Sequence, residues 1–410
     1  MAIRGLGNLT NAQVFELAQE KSATFASHTA NITAEQFFSS NLGGIDANQM
    51  YQLRNEFLQT LLTFKLGEIR GHRTKNSLEA ADIGVRYYDE FHGARQVMFI
   101  DIKKPVNPQF LNLQDGDSVD QDVVRKPVVY DKFFCKNLNF TNFISWQGIL
   151  AKDAFNGAGG YGVTEALGWV LRELQDSYTK QMYLAQKEVI NYALNTDVDA
   201  DKLKDSQIVE VEFADPDAPT KDELRNLVNV VKDIKDAMTV EDTGAFNALG
   251  FEDIQNEDDL RFIVRPNFIN KMQTALYADT YNKDDLKMDI KIGKLNNFGG
   301  LVPTKDGTLE TELHEAYDNL GAVVGFTETV EGEEVPYEGT VKYYDPNTDV
   351  IGIIADKAFL EINESNPFIT RVHQNDMGLY DNYIVHKVGD GVYYRADHNF
   401  VVIKKKTASQ

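Results

Sequence analysis

Cysteine is almost missing from this chain of 410 residues: Cys135 stands alone, so no intramolecular disulfide forms and no zinc site of several cysteines can be built. That usage is expected of a chain made for a reducing compartment. Long apolar runs are missing too. Nowhere do about eighteen apolar residues follow one another, so no transmembrane helix and no membrane partner is expected. The opening MAIRGLGNLTNAQVFELAQE has neither the apolar stretch nor the small-residue cleavage site of a secretory signal. Cations are in deficit, 41 Lys and Arg against 63 Asp and Glu, for a formal net charge of −22. High-affinity nucleic-acid binding depends on Lys and Arg releasing counterions from phosphates, and this balance argues against it. It suits a container, whose wall must not stick to an enclosed polyanion.

Motifs that carry chemistry are equally scarce. No Gly-Lys-Ser/Thr tripeptide, HExxH or GxSxG occurs. The glycine-rich GAGGYG, Gly157 to Gly162, opens a helix as a dinucleotide loop would, but AKDAFN before it is a poor strand and the helix after it is far too long for a crossover. A hinge or tight loop is expected there. Asp197, Asp199 and Asp201 alternate like the start of a calcium loop, yet Lys202 stands where the turn glycine belongs and Ile208 where the bidentate acid belongs. The seven histidines, His28, His72, His92, His314, His373, His386 and His398, have no ligand spacing, and Cys135 in DKFFCKNL reads as a core thiol. No catalytic residue, no cofactor site and no metal ligand is predicted, which moves the weight toward a structural role.

What the chain does have is an ordinary globular composition, 42% hydrophobic and 25% charged, without internal repeat or low-complexity linker. Residues 1–66 read as an arm of helices: NAQVFELAQE and ANQMYQLRNEFLQTLLTFKL carry apolar residues at helical spacing around a polar interval, and would need a neighbour to pack against. In residues 67–130 the runs VRYYDEF and QVMFIDIK suggest long hairpin strands, with Arg70, Arg73, Lys75, Arg86, Arg95, Lys103 and Lys104 making a docking surface or a solvated face. Tyr161 to Asn195 then places Leu167, Leu171, Leu174, Tyr178, Met182, Ala185, Val189 and Ala193 on one stripe, predicting a spine helix of roughly 50 Å, with two helices broken near Tyr178 as the alternative. Beyond it, Thr220 and Glu223 have capping-box spacing ahead of a helix with Leu224, Leu227, Val228, Val231, Ile234 and Met238 on its buried face. Alternating helices and strands make this a compact α/β unit. From Asp197 to Asp259, 19 acids face 6 bases, so a net charge of −13, over half of the total, sits in about 60 residues. Phe326 to Asp349 reads as an exposed acidic hairpin, VIGIIAD as a buried strand, and YIVHKVGDGVYYRADHNFVVI as paired strands around a turn at Gly389 to Gly391.

Three blocks in order, FTNFISWQGIL, RFIVRPNFINKMQTALYADTYNKDDLKMDIKIGKLNNFGG and VIGIIADKAFLEINESNPFITRVHQNDMGLYDNYIVHKVGDGVYYRADHNFVVI, resemble the major capsid (major head) proteins of tailed bacteriophages, especially small short-tailed ones. The resemblance covers roughly residues 130–405 and rests on the order of elements. It implies an α+β chain with the Hong Kong 97 capsid fold, also similar to that of encapsulin shells: 1–66 as N-terminal arm, 67–130 as extended β-hairpin loop, 131–205 as peripheral domain with the spine helix, 206–384 as axial α/β domain, and 385–410 as strands returning to the peripheral domain. It further implies self-assembly as pentamers and hexamers into an icosahedral head around double-stranded DNA, assembled in the host cytoplasm, with a portal and separate scaffolding protein, or none, as partners. Some relatives weld subunits through a Lys–Asn isopeptide bond; Lys103 and Lys104 lie in the loop, but nothing marks an acceptor, and no such crosslink is predicted. Other readings are an encapsulin-like compartment, a soluble enzyme using GAGGYG for a nucleotide, and a minor phage structural protein.

Overall fold

The computed structural model describes residues 10–38, 46–69, 75–87, 97–100, 127–130, 135–147, 162–194, 203–215, 218–240, 245–247, 255–277, 290–298, 301–317, 323–330, 333–345, 347–364, 369–375, 380–395 and 397–407. Four helices come first: α1 (Asn11–Lys21), α2 (Ala23–His28), α3 (Ala34–Phe38) and α4 (Ala47–Ile69). Thr10 caps α1 reciprocally, its hydroxyl accepting from the Gln13 N–H while the Gln13 side chain accepts from the Thr10 N–H. Contrary to the expectation of a dependent arm, these helices enclose a core of their own. Phe15, Phe25, Phe37 and Phe57 are each no more than 3% exposed, and their rings lie 5.0 to 6.5 Å apart in tilted or edge-on contacts. The four rings come from four separate helices, so no single periodic window contains them. Leu171 packs at the rim of this cluster.

Next come α5 (Ser77–Ala80), β1 (Val85–Tyr87), β2 (Val97–Ile100), β3 (Pro127–Tyr130) and β4 (Cys135–Gln147). The described parts of the two runs expected to form one hairpin do not pair with each other. β2 is antiparallel to β3, with Val97 opposite Tyr130, whereas β1 joins a different sheet in parallel. Lys103, Lys104 and the polar LNLQDGDSVDQD lie outside the described residues. The long helix, α6 (Gly162–Leu194), is continuous through Tyr178 over 33 residues. Its predicted stripe is the face that packs: Leu174, Tyr178, Met182, Ala185, Val189 and Ala193 are buried.

The remaining elements are β5 (Ile208–Phe213), α7 (Lys221–Val240), β6 (Leu260–Val264), α8 (Pro266–Tyr277), β7 (Lys291–Lys294), β8 (Val302–Thr304), β9 (His314–Tyr317), β10 (Val323–Val330), β11 (Glu333–Tyr337), β12 (Lys342–Tyr344), β13 (Val350–Asp356), β14 (Leu360–Asn363), β15 (Ile369–Asn375), β16 (Tyr380–Tyr394) and β17 (Phe400–Thr407). One five-stranded sheet runs β5-β17-β13-β6-β7. All seven residues of β13 are buried because both of its faces are covered. Ile351 and Ile354 pack with the apolar faces of α7 and α8, while Ile353 and Ala355 pack with the stripe of α6. α7 starts as the sequence predicts, with the Glu223 side chain accepting from the N–H groups of Thr220 and Ala214. At Gly352 a Cβ would come within 2.7 Å of the Ile263 carbonyl, so only glycine lets β13 and β6 approach this closely.

The second sheet is built on β16, fifteen residues long. It pairs with β4 along one edge and with β15, then β14, along the other, and β1 completes the order β1-β14-β16-β15. Two expectations change here. No turn occurs at Gly389 to Gly391; β16 runs straight through, with a bulge between Lys387 and Asp390 against Phe140 and Leu138 of β4. A 13-residue partner strand holds β16 extended, and the glycines serve the bulge instead of a hairpin. Residues 385–410 do not return together to one sheet either: β16 stays beside β4, while β17 crosses into the first sheet between β5 and β13. Alternation of apolar residues is the same in both sheets, so sequence pattern alone does not assign β17.

Because the phenylalanine cluster is internal to the chain, Phe57→Ala should lower the stability of the unassembled protein by about 3–5 kcal/mol, read as a shift in its urea unfolding curve. Unchanged unfolding would mean that the four helices gain no stability from packing on one another.

Candidate functional site

The densest charged site lies where α6 crosses the bulge of β16. Residues 387 and 390 would face opposite sides of a regular strand, and the extra residue of the bulge turns both toward the helix. Lys387 and Asp390 are 2% and 1% exposed and 2.7 Å apart. The Lys387 ammonium donates to the Tyr178 hydroxyl at 3.0 Å and sits 4.5 Å from the centre of its ring, and that hydroxyl donates in turn to Asp390. Glu364, 1% exposed at the end of β14, lies 3.9 Å from both Lys387 and Arg86. Arg86, on β1, stands 2.8 Å from Glu79 of α5. Asn76 completes the link: its side-chain oxygen caps α5 through the N–H groups of Leu78 and Glu79, and its amide donates to the buried Gln186 of α6. One chain of polar contacts thus joins α5 and β1, at the start of residues 67–130, to both β14 and the long helix.

A second set of contacts fixes the two places where the chain passes between the sheets. Residues 357–359 lead from β13 to β14, and residues 395–399 lead from β16 to β17. Asp356 accepts from the Ala358 N–H at 3.0 Å and meets His398 Nδ1 at 2.7 Å, while the Asp356 N–H donates to the Asn399 carbonyl and the Arg395 N–H to that of Phe359. Burial raises the Asp356 carboxyl, but the hydrogen bonds from His398 and Ala358 and the charges of His398 and Lys357 outweigh it, so the carboxyl titrates below its ordinary value.

The other sequence candidates are dispersed. His28 meets Glu56 at 3.0 Å in the amino-terminal helices, His314, His373 and His386 lie on β9, β15 and β16, and Cys135 opens β4 opposite Tyr393. Of GAGGYG only Gly162 is described, as the first residue of α6; Gly157, His72, His92 and the aspartates 197, 199 and 201 lie outside the described residues. Among the described residues no three His, Cys, Asp or Glu side chains are arranged to hold a metal ion, and no helix is long and apolar enough to cross a membrane. Sequence reading missed the Lys387 network; its signal was the pair of glycines, 389 and 391, flanking a charge inside an apolar strand.

This is a mixed helix-and-sheet protein whose charged interior ties elements together. The chain belongs to the Phi29-like phage major capsid protein family, whose model matches residues 17–404. It is a shell-forming subunit of a phage head, with its place in the virion capsid. Similar solved structures include a chain in the structure of the head fiber and inner core protein gp22 of bacteriophage P68, with 13% identity and a TM-score of 0.49 over 81% of this chain and 85% of that one. The capsid of Staphylococcus phage Andhra gives 13% and 0.47 over 78% and 83%, and that of Ralstonia phage GP4 gives 11% and 0.44 over 82% and 93%. No curated protein matches. Compartment, nucleotide enzyme and minor structural protein find no support.

Lys387→Met would leave Asp390 and Glu364 facing each other without the ammonium between them, and should cost about 3–5 kcal/mol in denaturant unfolding of the single chain. For Asp356, the folded value lies below the unfolded one, so its stabilisation is present above the ordinary carboxylate value of about 3.9 and is lost as pH falls through the folded value. Asp356→Asn should therefore be less stable than wild type at pH 7, with a gap that closes below about pH 4; a gap independent of pH would contradict this.

Proposed function

We propose that this chain builds an icosahedral phage head by associating as pentamers and hexamers in the Hong Kong 97 arrangement, and that the head encloses double-stranded DNA without reading its sequence. The family match over residues 17–404 carries this reading. In it, residues 67–130 are the extended loop that reaches an adjacent subunit, α6 is the spine of a peripheral domain, and the β5-β17-β13-β6-β7 sheet with α7 and α8 is the axial domain. The acidic balance supports the DNA part: a wall with a net charge of −22 per copy repels the polyanion it contains and leaves it free to move. A portal, with or without a separate scaffolding protein, completes the assembly in the host cytoplasm, and the chain itself performs no catalysis.

Many weak contacts suit this task, because a closed shell multiplies them while a misplaced copy can still leave. Electron microscopy of the purified protein at rising concentration should reveal closed particles with five-fold and six-fold clusters; single chains at every concentration would overturn the reading. Contacts between acidic and basic surfaces are screened by salt, so particle yield should fall between about 0.05 and 1 M ionic strength, where the screening length shrinks to about 3 Å. Yield indifferent to salt would remove charge pairing as the glue while leaving the fold intact.

A further inference from the structure

The sheet β11-β10-β9 stands apart from both cores. Its strands pair with one another, and no described helix packs across it. Residues directly opposite in an antiparallel pair share a face, and the register sets Phe326 opposite Tyr337, Glu328 opposite Val335 and Val330 opposite Glu333. One face therefore carries Val324, Phe326, Val330, Val335 and Tyr337 together with Glu328 and Glu333, with the Lys305 ammonium 5.6 Å from the centre of the Tyr337 ring. Val324, Val330 and Val335 are 67%, 45% and 41% exposed. A sheet of three strands needs a buried apolar face for stability, and among the described residues Val324, Val330 and Val335 on this face stay exposed. From Glu312 to Glu338 there are eight acids and no Lys or Arg. Glu328 is paired with Lys305, whereas Glu333 and Glu334, both exposed, form no ion pair with a described residue.

The complementary charge sits elsewhere on the same chain. α5 packs on the edge strand β7, where the Ser77 hydroxyl donates to the Lys294 carbonyl, and this corner exposes Lys75, Lys291 and Lys294. Lys291 is 3.6 Å from Asp82, which Arg261 already holds at 2.9 Å. Lys75 and Lys294 form no ion pair with a described residue. Two copies of the acidic sheet would repel each other face to face, so a symmetric pairing of like with like is excluded. The acidic sheet therefore calls for a basic surface elsewhere on the second copy, and a contact of that kind can be repeated around a ring.

We propose that the β9–β11 sheet of one copy docks, apolar face and acidic edge together, on the corner formed by Lys75, Lys291 and Lys294 of a second copy. This rests on the reading of the chain as a shell subunit. The test is a charge exchange scored by particle yield. Glu333→Lys with Glu334→Lys should lower yield at least about tenfold, as should Lys75→Glu with Lys294→Glu, and the four changes together should restore it. All six positions, Val324 and Val335 included, are exposed in the single chain; a second variant carrying Val324→Ser and Val335→Ser should lower yield while leaving its thermal unfolding unchanged. Wild-type particles in the same preparation test the shell reading separately. Normal yield from either charge-reversed pair, or a combined variant no better than its parents, overturns this contact alone; absence of wild-type particles overturns the shell reading and the contact with it.

Discussion

An ammonium kept away from water dictates much of the geometry around the long helix. Lys387 is tolerable in the interior only because the bulge of β16, the hydroxyl and ring of Tyr178, Asp390 and Glu364 converge on it. Tyr178 and Glu364 come from other stretches of chain, so the charge is satisfied only where helix, strand and sheet meet. Apolar contacts along α6 would permit the helix to slide by a turn; the polar network does not, because a shift would strand a charge. Arg86 and Glu79 extend the same constraint to β1 and α5. Residues 76–87 are thereby anchored to the long helix and to β14.

The two sheets share strands that are adjacent in sequence, and this interlocks them. The chain leaves the first sheet after β13, enters the second at β14, and goes back after β16 to insert β17 beside β13. Asp356 and His398 close both passages on one another. The two sheets thus form one interlocked body around two apolar clusters. Against that body, the amino-terminal helices and the β9–β11 sheet are opposites. The helices carry enough aromatic surface to bury themselves; the sheet does not, and an apolar face left in water is a demand for a partner.

Local signals in the sequence were read correctly wherever the interaction is local. The stripe of α6, the Thr220–Glu223 cap and the buried face of α7 all depend on residues three or four apart, and the structure has each of them. Signals failed where a long-range partner outvoted them. Gly389 and Gly391 mark a turn in isolation, but a 13-residue β4 alongside makes them part of a bulge. The phenylalanines at 15, 25, 37 and 57 look like scattered apolar residues until four helices fold back on one another.

By itself, then, the amino-acid sequence determined the long helices, the Thr220–Glu223 cap, the buried faces of α6 and α7, the acidic balance and the resemblance to phage shell proteins, because these depend on composition, spacing and element order. Tertiary structure alone decided which sheet receives β17, how β16 bends to bring Lys387 and Asp390 to one side, and which surfaces remain uncovered. The physical reason is that strand pairing and charge burial join residues far apart in sequence, 212 positions in the case of Tyr178 and Asp390, and period-two alternation along a strand is the same whichever neighbour it finds.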